Sequence, residues 1–173
     1  MTKQIDTFQG QIKEYTGTIT LGGTTPSFDL ESDINETFET NHITEDLIHE
    51  TTHQFIGDIQ QFPPVFSALK KDGKRLYEYA RAGEAVEIKS RQIHISEFEI
   101  TKIDTSTALS TSSIDVDFRV VCSKGTYIRS LANDFGKALN SGAHLSALRR
   151  TKIGDFNVTE GVSIEAFITS LKD

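Results

Sequence analysis

The segment from residue 114 to residue 140 constrains the fold more than any other part of the chain. Residues 114–122 alternate apolar and polar side chains, which predicts a strand. A Ser-Lys-Gly turn follows at once, and residues 127–140 carry apolar side chains at helical spacing. We expect Thr126 to open this helix. The segment therefore predicts a strand that passes directly into a helix through a basic turn.

That turn presents Lys124, Tyr127 and Arg129 together, beside the backbone N–H groups of a helix start, which favour bound anions. An aromatic side chain with a hydroxyl near a guanidinium can bind a nucleotide whose base has flipped out of the helical stack. The turn lacks the preceding glycine of a Walker A loop at the required spacing, so the sequence excludes that kind of ATPase site.

Similar patterns predict further elements. Predicted strands cover residues 11–21, 86–103 and 143–151, and predicted helices run from Thr44 to Ile56, from Leu76 to Ala82, and from a cap at Ser163. Strands joined by hairpins and flanked by helices indicate an α+β domain with a mainly antiparallel sheet. We expect residues 1–173 to form a single domain.

Length and composition are those of an ordinary soluble globular protein. No segment of the 173 residues approaches the roughly 18 apolar residues of a membrane span. The first residues lack the apolar region of a signal peptide, so we expect a cytoplasmic protein with no membrane contact. A single cysteine, Cys122, excludes an internal disulfide and is expected to be a small buried apolar residue.

Charge is distributed unevenly along the chain. The net charge is −7, which by itself argues against a nucleic-acid partner. However, residues 26–60 contain nine acids and no Lys or Arg, whereas residues 119–152 contain seven bases and one acid, Asp134. This division predicts either a basic face able to bind RNA or DNA, or two solvated surfaces of opposite sign.

The sequence from His49 to His53 matches the H-E-x-x-H pattern of zinc proteases. On a helix, however, both histidines point away from the apolar residues, toward solvent, and no third ligand is evident. We therefore expect no metal site, and zinc hydrolysis remains only a remote alternative.

Three blocks of sequence resemble the TruB family of tRNA pseudouridine synthases: residues 62–83, 122–129 and 142–150. The resemblance implies a pseudouridine synthase-like fold, with a mainly antiparallel mixed sheet flanked by helices. It also implies an isomerase that converts the uridine at position 55, in the T-loop of tRNA, to pseudouridine. The implied partner is the T-arm of tRNA, the implied full-length protein is a monomer, and no cofactor or metal is required.

The resemblance also implies roles for individual residues. Tyr15 resembles the tyrosine that stacks on the flipped uracil, and Leu148 the apolar residue that packs on it. Tyr127 resembles the tyrosine beneath that base, a suspected route for the C5 proton. Arg129 resembles the arginine that pairs with the catalytic carboxylate. Basic residues near these blocks are expected to contact the RNA backbone: Lys70, Lys74, Arg75, Lys124, Arg149 and Arg150.

The nucleophilic aspartate of the family lies in a Gly-Thr-Leu-Asp-Pro-like loop that has no counterpart here. Only fourteen residues precede Tyr15, and their acids, Asp6 and Glu14, lack that context. We therefore expect an inactive fragment, truncated at its N-terminus, in which Arg129 has lost its carboxylate partner. Pro26 stands where the family often has an acid, which weakens any expected role for that loop.

Nothing after Lys152 is long or basic enough for an appended RNA-binding domain. The sequence thus predicts the second part of a pseudouridine synthase catalytic domain. A noncatalytic module that binds tRNA or helps RNA to fold is the main alternative.

Overall fold

The computed structural model describes residues 5–84, 86–104, 107–108 and 111–171. Five helices lie in this part of the chain: α1 (Ile5–Gly10), α2 (Glu45–Thr52), α3 (Leu76–Arg81), α4 (Ile128–Ala138) and α5 (Ile164–Ser170). None of these helices combines the length and the apolar character needed to cross a membrane.

Six strands form the main sheet: β1 (Lys13–Leu21), β4 (Gly57–Gln61), β7 (Arg91–Asp104), β10 (Ile114–Cys122), β11 (Ala143–Ile153) and β12 (Phe156–Asn157). Their order is β12-β11-β1-β10-β7-β4, and every neighbouring pair is antiparallel. Six two-residue strands form three small hairpins: β2 (Gly23–Thr24) with β3 (Glu36–Thr37), β5 (Lys70–Lys71) with β6 (Lys74–Arg75), and β8 (Thr107–Ala108) with β9 (Thr111–Ser112). The predicted α+β fold with a mainly antiparallel sheet is confirmed.

The two faces of the sheet differ, as the alternation in β10 predicts. Val116, Phe118 and Val120 point into the core and are at most 1% exposed. On the other face, Thr18 donates a hydrogen bond to Asp117 at 2.6 Å across the β1–β10 pair. Ion pairs extend this face, where Arg119 contacts the carboxylates of several acids: Glu14, Glu97 and Glu99. Only one face of an antiparallel sheet has to be covered, and here the second face is polar and rich in acids.

Helices α2 and α4 cover the apolar face. Leu131 and Phe135 of α4 are fully buried, and the Phe135 ring packs edge-on against Phe55 and Phe98. Helix α4 lies unusually close to β11 at Gly136. A Cβ atom there would lie 2.5 Å from both the Cβ and the backbone nitrogen of Ala143. Because Gly136 has no side chain, α4 can pack this closely against the sheet.

Local sequence patterns predicted some helix ends correctly and others incorrectly. Thr44 caps α2 as predicted, since its hydroxyl accepts from the Leu47 N–H at 3.2 Å. The expected extension of this helix to Ile56 is wrong, because the chain tightens into a 3₁₀ turn at His53–Phe55. The expected opening of α4 by Thr126 is also wrong, because its hydroxyl donates to the Ser123 carbonyl at 3.0 Å instead.

The end of the chain follows the prediction in part. Ser163 caps α5, with its hydroxyl accepting from the Ala166 N–H at 3.1 Å. The apolar residues of this helix are exposed, with Ile164 at 75% and Phe167 at 54%. The predicted loop between Asp104 and Ser113 contains the β8–β9 hairpin, and its residues 105–106 and 109–110 lie outside the described part of the chain.

Candidate active site

The predicted turn between β10 and α4 is present and is anchored by a buried glutamine. Gly125 adopts a φ of 85°, which only glycine adopts without strain, and so reverses the chain. Gln61 of β4, 1% exposed, then holds Tyr127 through two hydrogen bonds. The Tyr127 N–H donates to the side-chain oxygen of Gln61 at 2.8 Å, and the side-chain nitrogen of Gln61 donates to the Tyr127 carbonyl at 3.1 Å. This clamp fixes the backbone from which the Tyr127 ring projects.

The guanidinium of Arg129 is the centre of a network that joins three parts of the chain. Its Nη1 donates to the Asp29 carboxylate at 2.9 Å and to the Ser27 carbonyl at 3.2 Å. Its Nη2 donates to the Phe66 carbonyl at 2.9 Å. The side chains of this ion pair are only 22% and 23% exposed. Arg129 therefore has a carboxylate partner that the sequence did not predict, Asp29, which is distinct from the aspartate of the Gly-Thr-Leu-Asp-Pro-like loop.

The loop that carries Asp29 is built to present this carboxylate. The Thr25 hydroxyl donates to the Asp29 carbonyl at 2.7 Å, and the Ser27 hydroxyl donates to its carboxylate at 2.6 Å. The loop is tied to the start of β11 because the Leu145 N–H donates to the Phe28 carbonyl at 2.9 Å. This loop thus contacts Arg129 even though Pro26 stands where the family often has an acid.

Asp29 was missed by sequence reasoning, although a local signal exists. In many turns, the side chain of an aspartate accepts a hydrogen bond from the backbone N–H two residues further on. Here the Glu31 N–H donates to the Asp29 carboxylate at 3.0 Å. The signal predicts an ordered turn, but it does not reveal a partner one hundred residues away.

Tyr15 and Leu148 lie on the same face of the sheet. Tyr15 is paired with Arg150, and Gly17, two residues further along β1, is paired with Leu148. Paired residues of antiparallel strands share a face, as do residues two apart on one strand. A Cβ at Gly17 would meet the Phe118 ring at 3.0 Å, so this ring occupies the space beside β1 on that face. Leu148 is 46% exposed, whereas Tyr15 is half-buried against the core.

A chain of contacts connects Tyr15 to the turn. Burial raises the pKa of Tyr15, the nearby Cys122 raises it further, and a hydrogen bond from Arg150 opposes both. Burial also raises the pKa of the Cys122 thiol, which is hydrogen-bonded to Thr126. Burial lowers the pKa of Lys13, and the neighbouring charges of Arg150 and Lys124 add to this effect. Arg150 thus acts on the Tyr15 hydroxyl, and Lys13 and Lys124 lie close to each other near the same end of the sheet.

The raised pKa of Tyr15 leads to a first prediction. Because burial disfavours the phenolate, Tyr15 should remain protonated above the ordinary tyrosine pKa of about 10. In an alkaline absorbance titration, Tyr15→Phe should remove one late-titrating phenol. Arg150→Ala should delay that phenol further, because its opposing hydrogen bond is lost. An unchanged titration of the Arg150→Ala protein would show that this hydrogen bond does not form.

The structure distributes the predicted RNA contacts over three places. Arg150 lies near Tyr15, and Lys124 lies near Lys13 at the start of β1. Arg149 pairs with Thr16 on the opposite, acidic face, so the structure does not bring it to this site. The other three bases, Lys70, Lys74 and Arg75, lie in the β5–β6 hairpin.

Two bases of the hairpin already have partners. Lys74 pairs with Glu84 at 3.0 Å, and Arg75 donates to the Tyr77 hydroxyl at 3.3 Å. A further basic group that sequence reasoning missed is Arg91, whose guanidinium lies 5.6 Å from the centre of the Tyr127 ring. Arginines on aromatic rings are common where proteins contact nucleic acid.

The H-E-x-x-H segment forms no metal site with other residues that the structure describes. His49 and His53 are both exposed, on α2 and on the following 3₁₀ turn. Within the described residues, no group of three or more His, Cys, Asp or Glu side chains could hold a metal ion.

Comparison with known protein families places this geometry in context. Residues 1–128 match the family described as "TruB family pseudouridylate synthase (N terminal domain)". Residues 129–172 match the "tRNA pseudouridylate synthase B C-terminal domain".

Two relatives carry the same name, tRNA pseudouridine synthase B. The protein of Flavobacterium johnsoniae is 63% identical over 171 residues, which cover 99% of this chain and 71% of the relative. The protein of Phocaeicola vulgatus is 52% identical over 166 residues, which cover 96% of this chain and 67% of the relative.

Solved structures resemble the fold at lower identity. A Cbf5-Nop10-Gar1 complex contains a chain with a TM-score of 0.65 and 27% identity, matched over 97% of this chain and 38% of that one. An H/ACA RNP bound to a substrate RNA containing 2′-deoxyuridine gives a TM-score of 0.56 and 26% identity, over 90% and 32% respectively. This chain therefore spans about a third of those two chains.

Proposed function

The chain belongs to the TruB family of pseudouridylate synthases, and we propose that the protein isomerises uridine 55 in the T-loop of tRNA to pseudouridine. The observation that carries this proposal is the Arg129–Asp29 network beside the Tyr127 turn. The expected place of action is the cytoplasm, and the expected full-length form is a monomer.

The reaction requires a site that holds the uracil and controls its orientation. The N1–C1′ bond of the uridine breaks, the uracil turns in place, and a C5–C1′ bond forms while C5 loses its proton. The base has to leave the helical stack and must not diffuse away between the two bond changes. Tyr15 would stack on it, Leu148 would pack against it, and Tyr127 would lie beneath it near the C5 proton.

Asp29 suits a positioning role better than a nucleophilic one. One oxygen of its carboxylate accepts from the Ser27 hydroxyl and the Glu31 N–H, and the other accepts from Arg129. Hydrogen bonds to a carboxylate stabilise its charged form and make it a weaker nucleophile. We propose that Asp29 orients Arg129, and that the attacking aspartate comes from the family's Gly-Thr-Leu-Asp-Pro-like loop.

The division of charge supports one side of the sheet as the RNA surface. The face with Arg119 also carries Asp115, Asp117, Glu97 and Glu99, which would repel phosphates. Bases on or near the other face would contact the T-arm backbone: Lys70, Lys74, Arg75, Lys124 and Arg150. Arg149 would contribute only at the edge of β11. Binding through such contacts should weaken steeply with added salt.

A tritium-release assay tests the proposed activity. RNA transcripts carrying tritium at C5 of uridine release it only when C5 becomes bonded to the ribose. We expect no release from this chain by itself. We expect release at position 55 from a chain extended by an upstream segment that carries a Gly-Thr-Leu-Asp-Pro-like loop.

Two outcomes would contradict different parts of the proposal. Turnover by the 173-residue chain would show that the nucleophile lies within it, with Asp29 the first residue to replace. Salt-sensitive binding without turnover, even by the extended chain, would favour the noncatalytic tRNA-binding module.

A further inference from the structure

The ring of Tyr127 is held less firmly than its backbone. Gln61 fixes the backbone through two hydrogen bonds, but two side-chain torsions still separate that backbone from the plane of the ring. The Tyr127 hydroxyl has no hydrogen-bond partner among the residues that the structure describes. A ring that lies beneath a turning uracil needs a further contact to fix its position.

Arg91, the first residue of β7, supplies such a contact. Its guanidinium lies 5.6 Å from the centre of the Tyr127 ring. Arg91 is paired with Gln61 across β4 and β7, and the side chains of paired residues project from the same face of a sheet. Its Nη1 also lies against the turn, 3.6 Å from the position that a Cβ of Gly125 would occupy. Two neighbouring residues therefore contact both parts of Tyr127: Gln61 the backbone and Arg91 the ring.

The positive charge of Arg91 is available to this ring. Within the described part of the chain, its guanidinium forms no ion pair and no hydrogen bond. Glu87, which borders a cavity together with Arg91, is paired with Lys71 instead. A second cavity beside Arg91, of about 720 Å³, is lined by neutral groups and one more cation: Gln9, Gly10, Gln92, Gly125 and Lys124. An arginine without a carboxylate partner can direct its charge at the negative face of an aromatic ring.

We propose that Arg91 is a positioning residue, which holds the Tyr127 ring beneath the target uracil. The contact occupies one face of the ring and leaves the hydroxyl available near the C5 proton. It strengthens when bound RNA excludes water, because a cation–π contact gains energy on desolvation. This inference rests on the proposed function and adds Arg91 to its site.

Fluorine NMR of the 173-residue chain, labelled with fluorotyrosine, tests the contact itself. The chain has four tyrosines, and Tyr127→Phe assigns the resonance of Tyr127. We expect Arg91→Ala to shift that resonance, because the cation beside the ring is lost. Lys102→Ala is the matched control, since it removes another cation of β7, one that pairs with Asp104. A Tyr127 resonance that Arg91→Ala leaves in place would show that the contact does not form.

Turnover of the extended, active protein tests the role of the contact. Arg91→Ala should lower the single-turnover rate of tritium release about tenfold, the scale of one cation–π contact shielded from water. Binding of T-arm stem-loop RNA should stay within about twofold, because the lost contact is with Tyr127 and not with RNA. Arg91→Lys keeps the charge but loses the planar group, so it should recover only part of the rate. Lys102→Ala should change neither rate nor binding.

A contact with an RNA phosphate would give the opposite pattern. If Arg91→Ala weakens binding and flattens its salt dependence while the single-turnover rate stays unchanged, the positioning role is wrong. Full recovery of the rate by Arg91→Lys would contradict it too, and this comparison holds even if alanine disturbs the start of β7. If the extended protein releases no tritium at all, the proposed function fails and the positioning role fails with it, even where the fluorine shift shows that the contact forms.

Discussion

Gly136→Ala is expected to destabilise the chain by about 2–3 kcal/mol, although alanine favours helix formation over glycine by about 1 kcal/mol. The reason is the seat of α4, where the new methyl group would lie 2.5 Å from the Cβ and the backbone nitrogen of Ala143 and 2.8 Å from the carbonyl carbon of Gly142. Two of these three atoms belong to backbone, which cannot move aside cheaply. Urea unfolding followed by circular dichroism would measure the change.

The sign of this change is the decisive result. Helix propensity alone predicts a gain in stability, whereas the close approach predicts a loss. Gly10→Ala in α1 is the matched control, since a Cβ there meets no atom within 4 Å. A stabilised Gly136→Ala protein would show that α4 is not seated as closely as the structure has it. Because α4 carries Arg129, the same change should also weaken the site.

Local sequence patterns predicted the elements that frame the site. The alternation from Ile114 to Cys122 reappears as β10 with every second residue buried. The apolar stripe that follows reappears as α4, one residue shorter at its start than expected. Such patterns succeed because burial against one large core sets both periods, and each period is visible within a few residues.

Contacts between distant residues account for what the patterns missed. The pairing of Arg129 with Asp29 joins residues one hundred positions apart, and the Gln61 clamp on Tyr127 joins residues sixty-six apart. Polar side chains in loops and at strand ends carry no period. Their partners depend on the order of strands in the sheet, which no local pattern contains. The misplaced cap at Thr126 is similar, because a nearby carbonyl competed for its hydroxyl.

The same reasoning explains what the resemblance to the family could not indicate about the candidate site. It indicated Tyr15, Tyr127, Arg129 and Leu148, and the sheet brings Tyr15 and Leu148 to one face. It did not indicate that the loop containing Pro26 supplies a carboxylate. Pro26 stands at one loop position where the family often has an acid, but the loop's hydrogen bonds depend on Thr25, Ser27 and Asp29.

Arg129→Lys in the extended, active protein is expected to lower kcat about 100-fold, the scale of misplacing a reacting group by about 1 Å. Lysine keeps the charge but loses the planar fork, which here donates to Asp29 and to the Ser27 and Phe66 carbonyls at once. A lysine at this position would then no longer join α4, the Asp29 loop and the segment around Phe66. Single-turnover tritium release would measure this loss separately from RNA binding.

Arg119→Lys is the matched control for this change. Arg119 also forks between carboxylates, Glu14 and Glu97, but it does so on the acidic face. The same substitution there should leave turnover within about twofold, because none of the residues bonded to Arg119 is a proposed site residue. Equal losses from both substitutions would indicate a general effect on the sheet and would remove Arg129 from the site.

A double-mutant cycle measures how much the pairing of Arg129 with Asp29 contributes to the free energy of unfolding. Asp29→Ala should cost roughly 2–3 kcal/mol of stability, below the range for fully buried pairs because these side chains are partly exposed. Combining it with Arg129→Ala should cost less than the sum of the two single changes, since neither charge is then left without its partner. In the extended protein, Asp29→Asn should lower kcat while its tritium release stays measurable, as expected of a positioning residue. Complete loss of release would instead identify the Asp29 carboxylate as the group that attacks.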